Sequence, residues 1–458
     1  MAMAASLVHA GEARPNIIVV LADQWRAQAF GFTGDRNART PHLDRLASEG
    51  VCFKNAVAGL PVCCPSRASL LTGQRPLTHG VFLNDVPLRP DAVTIAKVLG
   101  KAGYDTGYIG KWHLNGDGRA AFIPRERRQG FEYWKALECT HDYSNSCYYA
   151  DGPERLKWFG YDAQAQTEDA CAYLRDHARS LKPFLLFLAW GPPHDPYFSA
   201  PAEYRGQIDP AKLSLRPNVP LALEDVVRTI LAGYYAHCAA LDDCMGELLQ
   251  TLHETKLAGD TILVFTSDHG DMLGSHGQFK KQKPWDESIR VPLLIRWPKG
   301  QGTKARSLDA LFNSEDLMPT LLGLARVTIP PSVEGFDYSS CLRGGPNPGD
   351  GASLIQCVAP FGEWERHVGG KEYRGIRTAR YTYVRDLNGP WLLLDNKRDP
   401  YQTNNLVNLP SQATLQVQLD AVLRAKLRSC HDEFRPGADY VTQWGYQVDQ
   451  NGTVPYTP

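Results

Sequence analysis

The run Cys63-Cys64-Pro65-Ser66-Arg67-Ala68-Ser69-Leu70-Leu71-Thr72-Gly73 gathers a thiol, a hydroxyl and a guanidinium within five residues. Proline suits the first turn of a helix and glycine suits its C-terminal end, so the run reads as a helix with Cys63 just ahead of it. At that place the free backbone N–H groups and the helix dipole favour an anion. Arg67, one turn in, can point back toward Cys63. A cysteine so placed is electropositively surrounded and reactive; the plainer alternative is a buried cysteine in a loop.

Four more sets of polar residues each follow a short apolar run. Asp23 and Gln24 follow 16–22 (NIIVVLA), and Asp268 and His269 follow 261–267 (TILVFTS). Lys111 and His113 follow 106–109, and His194 follows 184–190 (FLLFLAW). With a fifth run at 291–297, these are continuous rather than alternating, as expected of strands covered on both faces in a parallel sheet. Stretches 94–102 and 225–253 show apolar spacing near the helical repeat. Strands alternating with helices predict an α/β sandwich, in which ligands bind beyond the carboxyl ends of the strands. Four polar sets should therefore meet at one edge. Asp23 alone could serve as a helix cap. Paired with Asp268 and His269 it makes a set of oxygens plus one imidazole, which suits a hard divalent cation.

The chain has 458 residues, more than one average core, which suggests two domains or one domain with an appendage. A formal net charge of −1 supplies no global field for nucleic acid or an anionic membrane. No apolar run is long enough to span a bilayer. The 11 cysteines follow no disulfide-scaffold spacing and form no C-x-x-C pair, so they indicate neither structural zinc nor a compartment. Cys171 and Cys238 sit in helix-like stretches and read as buried apolar residues. The expected organisation is a disordered leader at 1–14, a catalytic domain at 15–345 and a C-terminal subdomain at 346–458 that helps close the substrate pocket. The first is a mostly parallel sheet between helices; the last is a smaller α+β unit with an antiparallel sheet. Its marks are a Pro/Gly-rich stretch at 330–348, hairpin-like strands at 373–384 and 391–394, and a helix at 411–428. The last stretch, 443–458, has few apolar anchors and is expected to lie along the surface.

Cys-x-Pro-Ser-Arg-x-x-x-Leu-Thr-Gly at 63–73 resembles the signature of the type I, formylglycine-dependent sulfatases, within the alkaline-phosphatase-like superfamily. The resemblance extends to PNIIVVLADQ at 15–24, TPHLDRLASEGVCFKNA at 40–56, AGYDTGYIGKWHL at 102–114, GPPHDP at 191–196, FTSDHGDMLGSHG at 265–277, RVPLLIRWP at 290–298 and RTARYTYVRD at 377–386. It implies that Cys63 is oxidised to formylglycine, whose hydrate has one hydroxyl to attack sulfur and a second whose deprotonation expels sulfate. It implies that Asp23, Gln24, Asp268 and His269, with the modified Cys63, hold Ca2+, with Mg2+ or Mn2+ as alternatives. Many members have aspartate where Gln24 stands and asparagine where His269 stands. The Gln/His version resembles choline sulfatases and phosphonate monoester hydrolases, which leaves the preferred metal open. Arg67 then steadies the formylglycine, and Lys111, His113, His194 and Lys281 surround the sulfate. Lys281 is preferred to Lys280 and Lys283 because it lies nine residues before the Arg-Val-Pro run at 290–292. Asp268 would assist attack, His194 or Lys281 would protonate the leaving alcohol, and His113 would be the base for elimination.

The resemblance also implies a maturation partner, either a formylglycine-generating or an anaerobic sulfatase-maturating enzyme. Two alternatives share the fold: a phosphonate monoester or phosphodiester hydrolase, and a choline or aryl sulfatase. Ser66 and the GKWHL stretch favour a sulfatase over the phosphonate enzymes. A third alternative, an inactive domain that holds sulfated glycans, is opposed by the fact that every key position is filled. For substrate recognition, segments 119–149 and 361–373 mix aromatics with cations, including Arg125, His141, Trp364, Arg366 and His367. Aromatic faces stack on sugars, and arginines bind carboxylate or a second sulfate. Together they point to a sulfated carbohydrate, uronate-containing or multiply sulfated. The Val-His-Ala-Gly stretch at 8–11 resembles the end of a trimmed signal peptide, which favours a periplasmic or secreted location over a cytoplasmic one.

Overall fold

The computed structural model describes residues 14–457. The expected leader at 1–14 lies outside them except for Arg14. Eight strands form the main sheet: β1 (Asn16–Asp23), β2 (Val51–Val57), β3 (Asp105–Lys111), β4 (Tyr133–Leu137), β5 (Phe184–Pro193), β6 (Thr261–Ser267), β7 (Leu293–Arg296) and β8 (Arg306–Asn313). Their order is β8-β2-β7-β6-β1-β5-β3-β4. The continuous apolar character of β1 has a direct cause. Ile17, Val19 and Leu21 enter the core on one face of the sheet. Ile18, Val20 and Ala22 enter the core on the other. Each such side chain contributes roughly 1.5–3 kcal/mol by leaving water, so both faces favour burial of this strand at the centre.

Helices cover both faces, including α1 (Pro41–Glu49), α2 (Cys63–Thr72), α3 (Ile95–Lys101), α4 (Asp162–His177) and α5 (Glu224–Glu254). Helix α3 starts where Thr94 accepts a hydrogen bond from the Lys97 N–H. A second, antiparallel sheet follows: β9 (Ser353–Cys357), β10 (Tyr373–Arg377), β11 (Tyr381–Asp386) and β12 (Gly389–Asp395), in that order. Helix α6 (Ala413–Ser429) packs on it through Leu419 and Leu423. The fold is thus the expected one, a large mostly parallel sheet between helices with a smaller antiparallel sheet in the C-terminal part.

Several expectations need correction. The run at 291–297 yields only β7, and it runs antiparallel to β2 and β6. Strand direction leaves no mark in an apolar run. Strands β2, β4 and β8 were not expected from the sequence. Strand β8 lies at the sheet edge and alternates exposed with half-buried residues over its first five positions. The Pro/Gly-rich stretch, expected as a linker or loop, is mostly irregular and exposed or half-buried, but it is tied to the core where Tyr338 is buried against Phe53 and Phe312. The last stretch lies along the surface as expected, with no described residue fully buried, but it has more anchors than expected: Trp444, Tyr446, Val448 and Val454 are partly buried and pack against the main core. Their wide spacing hides them from any periodic pattern.

Candidate functional site

The strands that carry the ionisable sets, β6, β1, β5 and β3, are consecutive neighbours in the sheet. Their carboxyl ends therefore present their following residues side by side. Register places Ala22 beside Ser267, so Asp23-Gln24 and Asp268-His269 leave adjacent strands at the same level. In β3, Gly110 adopts φ 106 and a Cβ there would stand 2.1 Å from the Ala189 carbonyl oxygen. Only glycine allows β3 to approach β5 so closely just before Lys111.

Helix α2 supplies the centre. Val62 is extended, Cys63 opens the helix, all ten helical residues are buried, and Gly73 closes it at φ 65. The Cys63 Sγ lies 3.2 Å from His269 Nε2, 3.5 Å from Lys281 Nζ, 3.7 Å from Asp23 Oδ1 and 3.8 Å from Lys111 Nζ. Burial by itself would push the thiol up, but the charges of Lys111, Lys281 and His269 hold it well below the ordinary thiol range. Arg67 lies one turn on and ties the carboxylates together. Its Nε donates to Asp268 Oδ2 at 3.0 Å, its Nη2 to Asp23 Oδ2 at 3.1 Å and its Nη1 to the Lys111 carbonyl at 2.7 Å. Lys111 Nζ donates to Asp23 Oδ2 at 2.6 Å.

Asp23, Cys63, Asp268 and His269 are all buried, and they offer ligand atoms that lie within 4.8 Å of one another. Gln24 has left-handed backbone geometry at φ 70 and directs Oε1 to the Lys281 ammonium at 3.1 Å. Its amide nitrogen donates to Asp271 at 2.6 Å, which fixes the oxygen toward the cluster. His269 Nδ1 lies 2.9 Å from the Gly270 carbonyl, so in the neutral ring the Nδ1–H donates there and the Nε2 lone pair faces the cluster. Burial and the Asp23 charge push the Asp268 carboxyl up in spite of Arg67. Asp23, by contrast, is held against its burial well below the ordinary carboxylate range by Lys111, His194 and Arg67. The two carboxylates, the Cys63 sulfur and the imidazole together make a donor set that a divalent cation fits.

Above Cys63 opens a cavity of about 260 Å³ lined by Lys111, His113, His194, Lys281 and His141, among others. His194 Nε2 and Lys281 Nζ are 2.6 Å apart. His113 Nε2 lies 3.2 Å from Asp85 Oδ1, and its buried Nδ1 has no hydrogen-bond partner among the described residues. The His141 ring stacks on His194 at 4.8 Å and 9°. Although His141 keeps an exposed edge, desolvation against the cavity wall and the neighbouring cations, His194 first, lower it to about 3, so it presents a neutral face.

Of the residues expected from sequence, Asp23, Gln24, Cys63, Arg67, Lys111, His113, His194, Asp268, His269 and Lys281 meet here. His141 joins them at the cavity wall, whereas four residues expected to contact substrate do not line the cavity. Arg125 is an exposed partner of Glu132. Trp364 is buried against Tyr373 and Trp391 in the second sheet. Arg366 pairs with Glu372, and His367 lies 3.1 Å from Glu365. In each case a nearby carboxylate or an apolar neighbour takes up the group, and sequence does not reveal that neighbour. Asp85, Asp195, Glu363, Thr453 and Tyr456 line the cavity without having been singled out from sequence, and with them Arg119, the first residue of the 119–149 segment, and Lys280, which was passed over for Lys281. They come from loops and the C-terminal tail, where no periodic signal exists. Lys280 holds Asp195 and Glu363 at the rim, at 3.3 and 3.1 Å.

Comparison with known proteins adds an independent line. Residues 15–327 match the Sulfatase family model, and residues 274–429 match the model of the N-sulphoglucosamine sulphohydrolase C-terminal region. The chain is similar to the ulvan-active sulfatase of Formosa agariphila, at 45% identity covering 97% of this chain and 87% of that one. It is similar to the endo-4-O-sulfatase of Bacteroides thetaiotaomicron, at 31% identity covering 86% and 88%. Among solved structures it resembles a Bacteroides fragilis protein named as a sulfatase, with TM-score 0.84, 30% identity and coverage of 94% and 98%. It also resembles a protein solved with its substrate glucosamine-2-N,6-O-disulfate, with TM-score 0.79, 26% identity and coverage of 93% and 99%.

Proposed function

Because this chain belongs to the sulfatase family and is a sulfuric ester hydrolase, we propose that it removes sulfate from a sulfated carbohydrate, using a formylglycine made from Cys63 and a calcium ion. The observation that carries this reading is the meeting of four strand ends and the α2 N-terminus at Cys63, under a cavity lined by cations. Asp23, Gln24, Asp268 and His269 would hold the ion, which supplies electrostatic neutralisation of the sulfuryl oxygens. Formylglycine, installed by a maturation enzyme, supplies a hydrated aldehyde with two hydroxyls, so that transfer to the protein and release of sulfate become separate steps. Carbohydrate is supported by the substrates named for the relatives, ulvan and a glucosamine disulfate.

The chain's own groups divide the work by position. Arg67 keeps both carboxylates oriented through one hydrogen bond to each, and is itself anchored by a third to the Lys111 carbonyl. Lys111 and Lys281 place ammonium groups 3.8 and 3.5 Å from the Cys63 Sγ. His194 and Lys281 share a proton position on the cavity side and deliver that proton to the departing sugar oxygen. His113 offers a buried Nδ1 to receive the proton whose loss frees sulfate.

The test measures released sulfate from a panel of sulfated oligosaccharides, with choline sulfate, an aryl sulfate and a phenylphosphonate ester beside them. The expected result is the highest kcat/KM on a sulfated oligosaccharide. A higher value on the phosphonate ester would overturn the reaction, and turnover of choline sulfate alone would overturn the substrate. Mass spectrometry of active protein should show the Cys63 peptide lighter by about 18 Da, a covalent change outside the encoded sequence. Full activity with an intact thiol would refute the nucleophile.

A further inference from the structure

Arg119 stands in the cavity wall with all but one part of its guanidinium already engaged. Its Nε donates to Asp85 Oδ1 at 3.0 Å and its Nη2 to Asp85 Oδ2 at 2.8 Å, a bidentate pairing. The Tyr456 ring covers the guanidinium face at 3.5 Å. The backbone is pinned as well, since the Arg119 N–H donates to the Thr457 carbonyl at 2.9 Å and the Arg119 carbonyl accepts from the Cys139 N–H at 3.0 Å. The remaining nitrogen, Nη1, has no protein partner among the described residues. Arg119 is thus held rigid by three chain segments with a single donor edge left open. Holding a long side chain in this way removes much of the rotamer entropy that an ordinary surface arginine loses on binding a ligand. Asp85 also touches His113, so the open edge sits one residue away from a group beside the nucleophile.

The other cations of the cavity are occupied. Lys111 is on Asp23, Lys281 is between Gln24, His194 and Cys63, and Lys280 is on Asp195 and Glu363. We propose that Arg119, fixed by Asp85 and Tyr456, is a specificity-determining residue that binds a second anionic group of the substrate through Nη1. The substrate class is then a sugar whose scissile sulfate has a carboxylate or another sulfate close by. This deepens the sulfatase reading and rests on it.

The test uses the full chain carrying formylglycine and four substrates. They are a monosulfated disaccharide with a uronate neighbour, its neutral counterpart, the neutral disaccharide with a second sulfate, and an aryl sulfate as reference. Native protein should favour a dianionic disaccharide over the neutral one, and the preferred arm identifies carboxylate or sulfate as the partner. Arg119→Lys keeps a charge for Asp85 but loses the forked donor. It should lower kcat/KM for the preferred dianion about 10- to 100-fold more than for the aryl sulfate, chiefly through KM, as expected for one charge-assisted bond. Tyr456→Ala leaves the Asp85 pairing intact and uncovers the guanidinium, and should shift the same ratio in the same direction by a smaller factor. Equal loss on all four substrates in both variants would show that Arg119 only positions Asp85, and would overturn the proposal. So would native protein that does not distinguish dianionic from neutral sugars. If no sulfate ester is cleaved at all, the sulfatase reading falls and the proposal with it.

Discussion

At the scale of single residues, the site is a problem of buried charge. Two carboxylates with no exposed surface, Asp23 and Asp268, share the Arg67 guanidinium, and Lys111 adds a second cation on Asp23. Removing one partner from a buried ion pair costs about 3–5 kcal/mol because it leaves charge without a counterion. Arg67→Ala should therefore lose stability of that order in urea unfolding under chelating conditions. Arg67→Lys should recover only part of it, since an ammonium cannot address both carboxylates in the fork geometry. A loss below about 1 kcal/mol for Arg67→Ala would mean that Arg67 does not bridge the two. These residues were legible in the sequence because each follows a strand or opens a helix. Arg119 and Tyr456 were not, because what makes them matter is a partner 337 positions away in the chain. Arg125, Arg366 and His367 show the converse. Their types suit sugar recognition, yet nearby Glu132, Glu372 and Glu365 hold them.

At the scale of elements, helix α5 was legible from its periodicity, and its buried polar residues show why it lies where it does. Asp242 accepts hydrogen bonds from the His42 and Leu43 N–H groups, so one helix caps the start of α1. His237 sits fully buried on the same helix, with Nδ1 2.7 Å from the Tyr161 hydroxyl. Burial lowers it to about 3 from an ordinary value of 6.5. In the unfolded chain it takes up a proton below about pH 6.5, and in the folded chain it does not, so stability is lost as pH falls from there toward 3. Between pH 7 and 5 this one group should account for as much as about 2 kcal/mol, at 1.36 kcal/mol per unit. Urea midpoints of native protein and His237→Gln at both pH values should show a smaller pH slope for the variant. Identical slopes would exclude His237 as a source. The second sheet was legible as hairpins, but its attachment was not. It docks through Arg377, whose guanidinium donates to both oxygens of Asp286 at 2.9 and 3.1 Å.

At the scale of the whole molecule, the first strand and the last residues meet around one cavity, and a bound cation should stabilise the entire chain. A ligand at about 100 times its Kd adds about 2.7 kcal/mol to the folded state. Chelation should therefore lower Tm and abolish sulfate release together, with calcium restoring both better than magnesium or manganese. A Tm that chelation leaves unchanged in protein shown to be metal-loaded beforehand would count against a structural share for the ion. The sheet order was not legible, since pairing partners far apart in sequence share no local pattern. That order also sets a timetable. Strand β1 pairs with β5 and β6, which follow it in the chain by more than a hundred residues. At a synthesis rate of about 5–20 residues per second, the α2 segment waits on the order of ten seconds or more after emerging before the central strands can assemble. Cys63, 1% exposed once they do, is open to a processing enzyme during that interval and closed to it afterwards. On the proposed formylglycine reading, the yield of active protein would depend on a race between modification and folding on the nascent chain, and slowing translation between residues 73 and 261 should raise the modified fraction.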